Sequence, residues 1–188
     1  MKNPMDRWGP ISQLLHWLIA LMVIAMATIG LLMVQMPNTP RKIEIYALHK
    51  SLGLTVLAVA LLRLTWRAYA GRPRPVAGTP RWQERLATTV HAALYVLLFA
   101  MPLSGWLFNS AAGYPLQWFG WFNLPALAGE DRGLRELAIT LHKAGFWLLL
   151  TLVIVHAGAG VYHHLFLNDP TLTRMLPRRR PKEPTDVD

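Results

Sequence analysis

"LHKAGFWLLLTLVIVH", Leu141 to His156, is an apolar run that begins and ends on histidine. His142 and His156 are 14 residues apart. At 100° per residue that interval falls about 40° short of four helical turns and rises about 21 Å. The two imidazoles therefore face roughly the same way at two depths of one helix. Both lie in a longer apolar stretch, Leu137 to Phe166, which exceeds the 20 or so residues that cross a bilayer. An ionisable side chain inside such a span is costly and faces the bundle interior or a functional cavity.

The pattern repeats outward from this stretch. Leu48-His49-Lys50 duplicates Leu141-His142-Lys143, and three further apolar runs are long enough to span: Leu14 to Met36, Ile45 to Trp66 and Thr88 to Asn109. The 14-residue interval recurs on each, from His16 to Gly30, from His49 to Arg63 and from His91 to Gly105. Successive spans run in opposite directions. One level of the membrane therefore collects Gly30, His49, Gly105 and His142, and the other collects His16, Arg63, His91 and His156. The arrangement describes two stacked plates within an all-α, four-helix transmembrane bundle.

Composition agrees with that class. The 188 residues are 53% hydrophobic and 15% charged, too apolar for an ordinary soluble domain and too short for several domains. A single membrane domain over residues 1–188 is expected. The first run is too long for a signal-peptide core and lacks a small-residue cleavage site after it, so it reads as a retained span. Basic residues gather in the N-terminal tail (Lys2, Arg7), in the link between the second and third spans (Arg67, Arg72, Arg74, Arg81, Arg85) and in the C-terminal tail (Arg174, Arg178, Arg179, Arg180, Lys182). The other links hold Arg41 with Lys42, and Arg132 with Arg135. Positively charged loops stay in the cytoplasm, which places both termini inside and the plate of His49 and His142 outside. The formal charge of +9 thus reads as topology and as contact with anionic membrane lipid. No nucleic-acid partner is expected.

The chain has no cysteine. That excludes disulfides, iron-sulfur clusters, thiolate zinc sites and covalent haem attachment. A metal must be held by histidine, carboxylate or methionine. The outer loop "SAAGYPLQWFGWFNLPALAGEDRG", residues 110–133, is rich in aromatic, Gly and Pro residues. Trp118, Phe119, Trp121 and Phe122 suit a segment lying in the headgroup layer. The link "AYAGRPRPVAGTP", Ala68 to Pro80, reads as an exposed turn. Pro102 reads as a kink, and Met22, Met26, Met33 and Met36 as lipid-facing or core filler.

A flat cofactor with an axial position on each side accounts for the two plates. Haem iron accepts imidazole nitrogens from above and below, while a glycine on a neighbouring helix lets the macrocycle approach the backbone. Two noncovalent b-type haems would use four of the seven histidines. Alone, a histidine in a span is more often a hydrogen-bonding residue than a ligand, and a glycine there more often a packing residue. The recurrence of one interval on four helices outweighs that reading.

The stretches "LLHWLIALMVIAM", "LHKSLG", "LLRLTWR", "HAALYVLLFAMPLSGW" and "LHKAGFWLLLTLVIVHAGAGVYHHLFLNDPTLTRMLP" resemble the prokaryotic cytochrome b561 family of the bacterial inner membrane over nearly the whole chain. The resemblance implies haem ligands on the first, second and fourth spans, which carries to His16, His49, His142 and His156. By depth, His49 and His142 share the outer plate if both ligands are histidine. The inner plate offers His16, His91 and His156, among which the spacing does not choose; the resemblance favours His16 with His156. Some relatives resemble superoxide oxidases that pass electrons to ubiquinone, and more distant ones are cytochrome b subunits of hydrogenases.

The expected function is electron transfer across the membrane to quinone, with superoxide the candidate donor and an oxidoreductase of the superoxide:ubiquinone type the candidate activity. The alternative is an electron-transfer subunit that docks a periplasmic dehydrogenase or hydrogenase. A third reading, a histidine-lined metal transporter, is suggested by His156, His163 and His164. Arg63, with Arg67 one turn further in, is expected to meet a haem propionate. Lys50 and Lys143 would do the same at the outer plate or draw in a small anion, although either can equally be an interfacial anchor. His91, Tyr95 and His163 are candidates for a cytoplasmic-side quinone site, against the alternative that His91 donates only a structural hydrogen bond.

Overall fold

The computed structural model describes residues 2–177, so Arg178, Arg179, Arg180 and Lys182 lie outside the described residues. Four helices carry the fold: α1 (Pro10–Gln35), α2 (Pro40–Ala70), α3 (Arg81–Ala111) and α4 (Arg132–Leu165). Each is long and apolar enough to cross a membrane. At 1.5 Å per residue, the 34 residues of α4 extend about 51 Å, well beyond a hydrocarbon layer of about 30 Å. The helices therefore begin before the apolar runs do. Pro10 and Pro40 open α1 and α2, where a missing N–H costs nothing. Asp131 caps α4 by accepting from the Leu134 N–H at 2.7 Å. The exposed link begins only at Gly71, because α2 continues through Ala68 to Ala70.

Packing runs along the chain, α1 on α2, α2 on α3 and α3 on α4. Ile19, Val56, Ala60 and Leu98 form a buried cluster between the first three helices, with Met22, Met26 and Phe99 against it. Leu21, Ile24, Leu62, Val96 and Ile154 are exposed, which is how a lipid-facing surface reads when apolar residues cover the outside of the bundle. Pro102 lies inside α3, which continues on both sides of it.

The loop between α3 and α4 departs from an all-helical reading. Strands β1 (Leu116–Trp118) and β2 (Phe122–Leu124) pair antiparallel. Phe119 and Gly120 both have positive φ, 49° and 76°, and the Trp121 N–H donates to the Trp118 carbonyl across them, the geometry of a tight hairpin turn. The hairpin hooks back onto α2. Ser51 Oγ accepts from the Phe119 N–H at 3.0 Å, and the Trp118 indole donates to Thr55 Oγ1 at 3.1 Å. Three-residue strands carry too little periodicity to be read from sequence.

At the opposite end, three segments distant in sequence are stitched together. Asn3 N–H donates to the Ala70 carbonyl, Arg74 N–H to Met5, and Trp8 N–H to Arg174. Gln13 Nε2, Arg7 Nη2 and the Trp17 indole donate to carbonyls of residues 174–176. Residues 166–177 thus form a strap against α1, with a 3-10 turn at Thr173–Met175.

Candidate functional site

The bundle gathers the 14-residue pairs into two clusters. At one cluster, named outer after the expected topology, His49 of α2 and His142 of α4 have ring centres 6.3 Å apart, with planes inclined at 74°. Each ring rests on a glycine of a neighbouring helix. A Cβ on Gly30 would come within 3.3 Å of His49 Cε1, and one on Gly105 within 3.3 Å of His142 Cε1. The glycines thus make room for imidazole rings, where the sequence suggested room for a macrocycle.

The inner cluster holds His16 and His156 with ring centres 6.1 Å apart and planes at 78°. His91 also lies against His156, with ring centres 5.1 Å apart. Arg63 reaches across from α2. Its Nη1 is 2.8 Å from His16 Nδ1, and its Nε donates to the Tyr95 hydroxyl at 3.1 Å. Arg67 stacks its guanidinium over the rings of Tyr95 and Trp8, at 5.5 and 5.9 Å from their centres. Trp8, Ser12, Arg63, Trp66, Arg67 and Tyr95 line a recess there. Neither arginine has a carboxylate partner among the described residues, whose ion pairs are Arg132 with Glu136 and His163 with Asp169.

These clusters can be tested against an iron-centred cofactor. Two imidazoles that bind one metal from opposite sides, with bonds of about 2 Å, put their ring centres about 6 Å apart. The pairs His49 with His142 and His16 with His156 meet that requirement, while His91 with His156 is too close to hold a metal between the rings. His49 Nδ1 is buried with no hydrogen-bond partner among the described residues, so no protein contact fixes which of its ring nitrogens is free for a metal. The donor set is neutral imidazole, which suits haem iron. The pair His49 with His142 fits the group as it stands, and the pair His16 with His156 fits it once Arg63 leaves His16 Nδ1.

Other candidates behave differently from one another. Lys50 donates to Asn109 Oδ1 at 3.2 Å and to the Pro115 carbonyl at 3.5 Å, so among the described residues its charge meets neutral oxygens only. Lys143 is exposed. His163 pairs through Nδ1 with Asp169 Oδ2 at 2.5 Å, while Thr171 N–H donates to Asp169 Oδ1. Burial pushes the Asp169 carboxyl up, but the hydrogen bonds from Thr171 and His163 outweigh it and hold the group below its usual range. No hydrogen bond or ring contact among the described residues joins His163 to His91 or Tyr95. Nor do three or more histidine or carboxylate side chains assemble into a metal-holding group among the described residues, which removes support from the transporter reading of His156, His163 and His164.

Sequence reasoning missed Ser104 and the Met101 carbonyl, both 3.0 Å from His142 Nδ1. A polar residue beside Gly105 inside an apolar run was the available signal. It also missed Asn109, 4% exposed, which holds Lys50, and Asp169, which holds His163.

Residues 7–178 match the family described as prokaryotic cytochrome b561. Cytochrome b561 homolog 2 of Escherichia coli (strain K12) is 34% identical over 181 residues, covering 93% of each chain. Cytochrome b561 homolog 1 of the same organism is 28% identical over 177 residues, covering 94% of this chain and all of the relative. A Yersinia pestis protein named probable superoxide oxidase CybB is 29% identical over 173 residues, covering 88% of this chain and 93% of the relative.

Proposed function

The chain belongs to the prokaryotic cytochrome b561 family, multi-pass proteins of the bacterial inner membrane that transfer electrons with b-type haem, and on that premise we propose that it holds two noncovalent haem b groups and passes electrons from an outer donor to a quinone. The observation that carries this reading is the pair of imidazole couples, 6.3 and 6.1 Å between ring centres, at two levels of one bundle. In this reading His49 and His142 hold the outer group and His16 and His156 the inner one. The cofactor supplies a one-electron iron couple at each level.

The rest is done by the chain's own side chains. Lys50 offers a positive charge bonded only to neutral oxygens, suited to draw a small anionic donor toward the outer pair. Superoxide is that donor in our reading, in line with the name of the Yersinia pestis relative. Arg63 and Arg67 supply the charge that the acid groups of the inner cofactor require. The Tyr95 hydroxyl accepts from Arg63, so its own proton is free to donate to a quinone carbonyl, with His91 as a neighbouring proton carrier. Both termini lie on the cytoplasmic side. This is supported by the stitching of the N-terminal segment, the α2–α3 link and the strap at one end, together with the basic residues those segments carry.

The reading is tested on the purified protein. Two haems per chain by pyridine haemochrome, reduction on rapid mixing with superoxide and reoxidation by ubiquinone are expected. One haem per chain defeats the two-level assignment. Two haems that superoxide leaves oxidised would favour a partner dehydrogenase as donor.

A further inference from the structure

His142 is the one of the four paired histidines held by a neutral hydrogen-bonding pair. Its Nδ1 lies 3.0 Å from the Met101 carbonyl and 3.0 Å from Ser104 Oγ, and Ser104 Oγ itself donates to that carbonyl at 2.8 Å. The carbonyl can only accept, and the serine proton is already committed to it. Nδ1 must therefore carry the imidazole proton, shared between the two oxygens. The opposite assignment would leave an unprotonated Nδ1 facing the carbonyl lone pairs. With the proton on Nδ1, Nε2 is unprotonated, and that is the nitrogen a metal needs.

The cradle is built from one face of α3. Met101, Ser104 and Gly105 stand at i, i+3 and i+4 and so lie together. Gly105 supports the ring edge, where an added Cβ would stand 3.5 Å from Nδ1. The outer partner lacks this arrangement. His49 rests on Gly30 in the same way, yet the positions on α1 that match Ser104 and Met101 are Ile29 and Met26, and His49 Nδ1 has no hydrogen-bond partner among the described residues. At the inner level, His16 Nδ1 faces a guanidinium instead.

We propose that Ser104 is a positioning residue of the outer redox centre: with the Met101 carbonyl it fixes the ring plane and the Nδ1-protonated tautomer of His142. The inference rests on the reading of His142 as an axial ligand. Such outer partners raise the basicity of a ligating imidazole and fix its orientation, and losing one costs about 10- to 100-fold in metal affinity.

The test uses the full-length, haem-loaded protein in detergent. Ser104→Ala should shift the low-spin electron paramagnetic resonance signal of one haem and speed the release of that haem to excess apomyoglobin by about 10-fold or more. The second signal and the slow release phase should stay as in the parent. Ser104→Thr keeps the hydroxyl and should restore both properties. Ser104→Cys, a weaker acceptor, should fall between the two and serves if the alanine variant does not accumulate. Unchanged signals and release rates in the alanine or cysteine variant overturn the proposal. His142→Ala run alongside separates the two levels of inference. If it removes one haem while loss of the Ser104 hydroxyl changes nothing, only the role of Ser104 falls. If it leaves two bis-histidine signals, the ligand assignment itself falls.

Discussion

Arg63 Nη1 lies 2.8 Å from His16 Nδ1, and a guanidinium can only donate. His16 Nδ1 is therefore the acceptor, which puts the imidazole proton on Nε2. A ligating imidazole needs the reverse. Occupation of the inner site thus requires Arg63 to leave Nδ1, and an acid group of the cofactor is the natural destination for its charge. Arg63→Leu should lower the midpoint potential of the inner haem, because loss of a positive charge favours the oxidised iron. A unit charge at several ångströms, in a medium of effective dielectric about 20, is worth on the order of 2 kcal/mol. A redox titration in which both haems keep the parental potential would count against this contact.

The ligand assignment makes separate predictions for each level. His142→Ala should remove the outer haem and His156→Ala the inner one, each leaving about one haem per chain by the two-site arithmetic of axial ligation. His163→Ala should retain both, since that ring is engaged by Asp169. Electron paramagnetic resonance of the oxidised proteins reads the outcome directly.

The glycine cradles predict steric sensitivity at two positions. Gly30→Ala and Gly105→Ala each introduce a Cβ 3.3 Å from a histidine Cε1, so the ring must move by a few tenths of an ångström. Overpacking of this kind costs about 1–3 kcal/mol, felt here as lower haem occupancy at the outer level. Gly53→Ala is the control, because its Cβ would meet only Met26 Cε at 3.6 Å. Equal haem content in all three variants would mean that the cradles do not constrain the rings.

Electron exit is tested at His91 and His163. Alanine at either position should leave reduction by superoxide intact and slow reoxidation by ubiquinone in rapid mixing, by about 10-fold or more if the side chain relays a proton. Parental reoxidation rates in both variants would move the exit elsewhere, with the hairpin carrying Trp118 and Trp121 the next region to probe.

The strap after α4 predicts a pH dependence. Asp169 has a carboxyl held below its usual range by Thr171 and His163, so its contribution is complete above the ordinary value of 3.8. That contribution is lost as pH falls through the lower folded value. Hydrogen exchange of residues 166–176 should remain slow from neutral pH down through the ordinary carboxylate range. Asp169→Ala should raise it throughout. Protection lost in the parent well above pH 4 would show that other contacts hold the strap.

Much of the architecture could be read along the chain, because it depends on local geometry. Rise and rotation per residue place His142 and His156 on one face at two depths, and the alternating direction of the spans sorts eight residues into two levels. The structure gathers these same two sets. The apolar runs lie within the helices that carry them, apart from the capping residues Met36 and Phe166 just past the ends of α1 and α4.

What the chain could not declare depends on distances between helices. A 14-residue interval does not say whether His16 or His91 stands about 6 Å from His156; that follows from how α1 and α3 are rotated against α4. Nor does it say that Ser104, rather than any other polar residue of α3, faces His142 Nδ1, or that Arg63 reaches His16. The hooking of the hairpin onto Ser51 and Thr55, and the pairing of His163 with Asp169, likewise come from segments folding back in space. Sequence by itself determined the four apolar helices, the two levels and the residues assigned to each, since helical periodicity is a property of consecutive residues. Only the tertiary structure decided which rings stand across from each other and what each Nδ1 meets, since a hydrogen bond is set by a few tenths of an ångström between helices that no periodicity encodes.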